Sequence, residues 1–248
     1  MSMNFSWKKE KIAIRWVEGF QFQGNAPIQE DFFSVNPDRG IFILADGFGG
    51  SSGKNSAESA VLGMKKFLEQ EAGDLDATLP FELRPYFSLA GNVLFNAVAF
   101  ANQKVNLINE GRPTAEKGGA SVVAGYLEGR LLAIANVGAC KVHLFRNGKS
   151  KEIVNPKTLE RQVNPFQEDG DTAVPLMSFG TTKQLEPEVV EIELMPGDRV
   201  CFSSCGVQES LRNQLFQLQN HEDFSREIGN ISQKTINTPN GTAIFVSF

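Results

Sequence analysis

Two short acidic stretches hold the residue types best suited to chemistry, Gln29-Glu30-Asp31 and Asp46-Gly47-Phe48-Gly49-Gly50. Each lies where a predicted strand begins or ends. A carboxylate there can point into a cleft, and neighbouring glycines let a backbone carbonyl approach a hard cation. Oxygen donors of this kind suit Mg²⁺ or Mn²⁺, and a pair of such ions activates water and neutralises phosphoryl charge. Spacing alone equally describes solvated turns, so each pair by itself is a weak signal. Other reactive types are sparse. His143 alternates with Val142 and Leu144 in a strand, as a surface or cross-strand histidine does, and His221 falls in a polar stretch, 220–223, read as a loop. Neither supplies a Ser-His or Cys-His constellation. The glycine-rich stretch 47–53 is followed by Lys54-Asn55, which lacks the Gly-Lys-Ser/Thr of a phosphate-binding P-loop.

The elements that must position these carboxylates follow from periodicity. Ile12, Ile14 and Trp16, then Phe20 and Phe22, alternate as a half-buried strand does. Residues 32–35 and 41–45 read as strands joined by a turn at Asn36-Pro37-Asp38-Arg39-Gly40, with 47–53 as a loop. Helical spacing places Ala57, Ala60, Val61, Met64, Phe67 and Leu68 on one stripe of a helix over 56–71. Val93, Leu94, Ala97, Val98, Ala101, Val105 and Ile108 do the same for a second helix, ended by Gly111 and Pro113. Strands over 120–126, 130–136 and 141–146 read as an antiparallel meander with a turn at Asn147-Gly148. Residues 189–194 and 200–203 read as a hairpin about Pro196-Gly197-Asp198, 209–218 as a helix, and 242–248 as a closing strand. Helices grouped between strand blocks predict α+β with layered sheets rather than a parallel array. No composition break marks a linker, so residues 1–248 are expected to form one domain.

Bulk composition excludes several classes. A formal charge of −5 with scattered Lys and Arg leaves no basic footprint for nucleic acid or an anionic membrane. Residues 1–16 carry Lys8, Lys9, Glu10, Lys11 and Arg15 around no apolar core, so they read as neither signal peptide nor membrane span. Three cysteines, few and odd in number, fit reduced thiols. A cytoplasmic location is the expectation.

Read in order, the motifs resemble the PPM (type 2C) metal-dependent serine/threonine protein phosphatases from about Glu18 to Phe248. Gln29-Glu30-Asp31 is similar to the family's Asn-Glu-Asp element, and Asp46-Gly47-Phe48-Gly49-Gly50 to Asp-Gly-x-Gly-Gly. Gly118-Gly119-Ala120-Ser121 stands where the family has Gly-Ser/Thr-Thr. Asn136-Val137-Gly138-Ala139-Cys140 resembles Asn-Val-Gly-Asp-Ser, and Met177-Ser178-Phe179-Gly180 resembles Arg-Ala-Leu-Gly. Pro196-Gly197-Asp198 with Ser203-Ser204-Cys205-Gly206, then Asn240-Gly241-Thr242, complete the series. The resemblance implies a four-layer αββα sandwich, two antiparallel sheets flanked by helices, with divalent metals in a cleft at its edge.

Carried over residue by residue, the resemblance implies half a metal site. Asp46 stands at the bridging position, Gly47 would offer its carbonyl and Glu30 its carboxylate to the second metal, and Asp31 would support them. Opposite them Cys205, Pro239 and Ala139 replace family carboxylates, and Ala26 replaces the arginine that grips phosphate. Glu209 stands in for a nearby family aspartate. No catalytic residue is therefore assigned, and the expected metal residues are Glu30, Asp31, Asp46, Gly47 and Glu209, holding one Mn or Mg ion at the residual half-site. The resulting expectation is a pseudophosphatase that works in signalling by binding a protein partner or phosphoprotein, such as a kinase-pathway component, with no nucleic acid or membrane. The alternative is an active, atypical phosphatase in which Glu209 or Cys205 substitutes as ligand, the soft thiolate favouring zinc.

Overall fold

The computed structural model describes residues 11–71, 82–164, 173–218, 220–234 and 238–248. Its strands are β1 (Trp16–Phe22), β2 (Phe32–Asn36), β3 (Ile41–Phe48), β4 (Gly119–Glu128), β5 (Leu131–Val137), β6 (Lys141–Arg146), β7 (Lys149–Glu152), β8 (Glu188–Glu193), β9 (Arg199–Ser203) and β10 (Gly241–Ser247). Its helices are α1 (Ser51–Lys66, running on through a π turn at Phe67–Glu71), α2 (Leu89–Asn109), α3 (Leu159–Val163), α4 (Glu209–Gln217) and α5 (His221–Lys234). The strands form two five-stranded antiparallel sheets, in the orders β2-β3-β4-β5-β8 and β1-β10-β9-β6-β7.

Alternation decides which residues fill each layer. In β3, Ile41, Ile43 and Ala45 face α1 and α2, while Phe42 and Leu44 face the other sheet, where Val142, Val200, Phe202, Ile244 and Val246 meet them. On the far side of the β9 sheet, Phe20, Cys201, Ala243 and Phe245 pack under Leu215 and Phe216 of α4 and Phe224 of α5. The result is the expected αββα sandwich, held by three apolar layers.

Several local expectations are corrected. The meander breaks after β5, because β6 pairs with β9 and belongs to the opposite sheet. Gly138, at φ 91°, makes that crossing in a conformation that side-chain-bearing residues rarely adopt. For the same reason 189–194 and 200–203 form no hairpin: β8 pairs with β5 and β9 with β6 and β10. The glycine-rich loop shrinks, since β3 runs through Phe48 and α1 starts at Ser51. Ile12 and Ile14 lie outside any strand and pack against the layer between the sheets. His143 is buried rather than superficial. His221 opens α5, pairs with Glu18 at 2.9 Å and stacks on Trp16 at 5.4 Å. The helical spacing of Phe224, Ile228 and Ile231 was the available signal for that helix.

Asparagines fasten α2 to its surroundings. Ser88 caps its first turn, accepting from Gly91 N at 3.1 Å. Asn102 donates to Thr182 O at 2.9 Å, and Asn109 donates to Gly118 O at 2.7 Å and Gly180 O at 2.9 Å. These bonds tie the loop after Met177 to the strand carrying the Gly118-Gly119 element.

Candidate functional site

The carboxylates meet because of register. Phe32 pairs with Ala45 in antiparallel fashion, so the next pair outward is Asp31 opposite Asp46. The other sheet delivers the end of β9 and the start of β10 to the same edge, where Ser204 N donates to Thr242 O at 2.9 Å. Cys205 follows β9 and donates its backbone N–H to Asp46 Oδ2 at 3.0 Å. Asn240 precedes β10, and its Nδ2 donates to Asp31 Oδ1 at 3.1 Å and to Gln29 Oε1 at 2.9 Å. Gln29 Oε1 in turn accepts from Asp31 N at 3.0 Å. The two sheets are thus pinned through the very groups a metal would draw on.

Electrostatics at this edge favour protons on carboxylates. Burial pushes Asp31 well above the usual carboxylate range, the charge of Asp46 adds to that, and the Thr242 and Ser204 hydroxyls act the other way. Asp46 is also raised, chiefly by burial, with the Cys205 thiol and amide opposing. Glu30 is raised by burial, eased by the Gly50 backbone. Burial and then Asp46 push the Cys205 thiol well up, and Cys140 is raised in the same way. Two adjacent carboxyls of this kind share a proton more readily than both ionise.

A carboxyl raised in the folded state contributes stability that is complete below its unfolded value, about 3.9 for Asp, and is lost as pH rises through the folded value. Asp31→Asn is therefore expected to raise Tm at pH 8 by a few degrees and to leave it nearly unchanged at about pH 3.5, below the unfolded value. Melting both proteins in chelator at the two pH values tests this; an equal loss at both would refute the shared-proton description.

The remaining positions divide into two groups. Glu30, Asp31, Asp46 and Gly47 come together. An added Cβ on Gly47 would lie 2.5 Å from Glu30 O and 2.7 Å from Gly53 O, so only glycine lets these carbonyls close in. Glu30 Oε1 is buried with no hydrogen-bond partner among the described residues. Glu209 stands apart: it opens α4, accepts from Asn213 at 3.2 Å, and lines a cavity with Lys141, His143, Arg161, Cys205 and Arg212. Ala139 is buried, its N–H on Ser121 Oγ at 3.1 Å. Ala26 closes a turn onto Gln23 O at 3.2 Å, and the adjacent Asn25 N–H reaches Thr238 O at 2.8 Å, beside Pro239. The backbone of Ala173 bonds to Cys205; residues 165–172, Asn237 and Phe81 lie outside the described residues.

The donor set does not fit a two-metal centre. Among the described residues no cluster of three or more His, Cys, Asp or Glu side chains could hold a metal ion. On the β9 side a thiol, a proline and a methyl stand where carboxylates would be needed, and Asp46 Oδ2 is engaged by the Cys205 amide. Glu30, Asp46 and the Gly47 carbonyl lie together at this edge, and Glu30 Oε1 is buried there without a hydrogen-bond partner among the described residues. Sequence reasoning placed Gln29 and Asn240 in motifs but missed their hold on Asp31, because only the pairing of two distant strand ends brings the Asn240 amide against it.

No protein-family model matches the chain, and no curated protein matches its sequence. Solved structures do match. The PPM Ser-Thr phosphatase MsPP from Mycobacterium smegmatis, in complex with cacodylate, superposes with TM-score 0.73 at 18% identity over 96% of this chain and 100% of that one. The Mycobacterium tuberculosis serine/threonine phosphatase PstP/Ppp gives 0.75 at 16% over 94% and 98%. Serine/threonine phosphatase Stp1 from Staphylococcus aureus gives 0.76 at 16% over 97% of each chain. A PstP catalytic-domain structure with TM-score 0.73 and 17% identity, covering 94% and 97%, carries two manganese ions. The fold expected from the motifs is therefore the fold of the PPM serine/threonine phosphatases.

Proposed function

We propose that this chain is a PPM-phosphatase-like domain that acts as a pseudophosphatase, binding a protein partner or phosphoprotein in cytoplasmic signalling, with a kinase-pathway component as the expected kind of partner. The observation that carries this reading is the state of Asp46. Its Oδ2 accepts the Cys205 amide at 3.0 Å, burial raises its carboxyl above the ordinary range, and among the described residues no carboxylate faces it from the β9 side. A bridging water between two cations needs both halves of the site, and without it the nucleophile loses most of its activation. Within this reading the half-site at Glu30, Asp46 and the Gly47 carbonyl holds at most one Mg or Mn ion, with water completing the shell. No helix among the described residues is long and apolar enough to cross a membrane.

A second reading, an active but atypical phosphatase, has one observation in its favour: the buried, unpartnered Glu30 Oε1 beside the Gly47 carbonyl is a donor waiting for a cation. Turnover of a phosphothreonine peptide across Mn²⁺, Mg²⁺ and Zn²⁺ titrations separates the two. Wild type is expected to give no metal-dependent rate above an Asp46→Asn control. A rate that saturates with metal and vanishes in Asp46→Asn would replace the pseudophosphatase with the active enzyme.

A further inference from the structure

The most unusual electrostatic feature lies beside the cleft, on the helix-covered face of the β9 sheet. There β6 turns Val142 and Leu144 inward between the sheets and Lys141 and His143 outward. Together with Glu152 of β7, Arg161 of α3, and Glu209 and Arg212 of α4, they line a cavity of about 510 Å³ that Cys205 borders. Arg161 is matched, holding Glu152 through two bonds of 3.0 and 3.1 Å. Arg212 is not. It is only 4% exposed, and its Nε and Nη1 have no hydrogen-bond partner among the described residues. Lys141, 8% exposed, forms no ion pair among them either. Burial and the positive charges of Arg212, Lys141 and Arg161 hold His143 down to about 3, so it is neutral and adds no charge of its own. Its Nδ1 is also buried without a partner.

Of the two carboxylates in the cavity, Glu152 is taken by Arg161, and Glu209 forms no ion pair with Arg212 among the described residues; a buried guanidinium left in that state is destabilising unless an anion pairs with it. The planar fork of an arginine matches the oxygens of phosphate, and a lysine beside it adds a second positive charge. We propose that this cavity is an anion site for a phosphate monoester, in which Arg212 and Lys141 neutralise the dianion and His143 provides a neutral hydrogen-bonding group. The phosphate is that of a phosphorylated segment of the partner, seated beside the former metal cleft. This deepens the partner-binding reading above and rests on it. Fixed cations here take the role that metal ions take in a two-metal site, with no means to activate water. The sequence held a signal for the site: Arg212 interrupts the buried face that α4 otherwise makes from Leu215 and Phe216.

Calorimetric titration tests the assignment, using inorganic phosphate, O-phosphoserine, and a degenerate phosphoserine peptide pool with its unphosphorylated counterpart. Wild type and the exposed-arginine control Arg226→Gln are expected to bind the phosphorylated ligands, with affinity lowered more than tenfold in Arg212→Gln and in Lys141→Gln. Phosphate is expected to raise the Tm of wild type but not of either variant. Should Arg212→Gln fail to fold, Lys141→Gln carries the comparison. No binding to wild type, or binding unchanged in both variants, overturns the site. Tighter binding of the phosphopeptide pool than of O-phosphoserine supports a phosphate borne by a protein, and equal binding overturns that source. Metal-dependent turnover would defeat the pseudophosphatase reading while leaving the binding result standing, so the two failures are distinguishable.

Discussion

Phe202→Ala is expected to cost about 3–5 kcal/mol, which for a chain of this size lowers Tm by about 6–20 °C. Phe202 is fully buried between the sheets and stacks on Phe42 of the opposite sheet at 5.9 Å between ring centroids. Its ring also occupies the space above Gly125, where an added Cβ would meet Phe202 Cζ at 2.7 Å. Gly125 offers no side chain of its own to fill the void, which places the penalty toward the upper end for a large-to-small change. The consequence reaches the site, because Phe202 and Ser203 fix the end of β9 from which Cys205 turns toward Asp46. Reversible thermal or urea unfolding reads the loss. A change below about 1 kcal/mol would mean that the sheets close over the gap.

Gly206→Ala is expected to lower Tm by about 2–12 °C, through overpacking that costs about 1–3 kcal/mol. A Cβ on Gly206 would lie 1.9 Å from the carbonyl oxygen of Asn240. That obstacle is backbone, and it belongs to the segment whose side chain holds Asp31 and Gln29. The methyl must push the loop after β9 away from the start of β10 and loosen the Cys205 amide from Asp46. The same substitution at Gly229, within α5 and with nothing near its Cβ direction, should instead stabilise by about 0.5–1 kcal/mol through helix propensity alone. Melting the two variants side by side checks the pair; losses of similar size would show that the close approach at Gly206 is relieved by small shifts.

Much of the architecture was written in local pattern. Alternation along residues 41–45 and 141–146 and the helical stripe from Val93 to Val105 reappear as β3, β6 and α2, because half-buried elements must present apolar side chains at the period of their backbone. The ordered motifs placed Glu30, Asp31, Asp46 and Gly47 together, and the register of β2 against β3 does bring them to one edge. The identities at Ala26, Ala139, Cys205 and Pro239, which the resemblance sets against an arginine and three carboxylates, are read directly from the chain, since a methyl, a thiol or a proline ring carries no charge of that kind.

What the chain alone could not decide was which sheet each strand joins and what faces the surviving carboxylates. The strands β5 and β6 are neighbours in sequence, yet Gly138 sends them into different sheets, and hydrophobic alternation is the same for either pairing. The grip of Asn240 on Asp31 and of the Cys205 amide on Asp46 joins residues far apart in the chain, so it exists only once both sheets are assembled. The same holds for the unmatched charge of Arg212 and Lys141. As residue types they are ordinary surface cations, and it is their burial against β6 and α4, with Glu152 taken by Arg161 and no ion pair to Glu209 among the described residues, that turns them into a place for an anion.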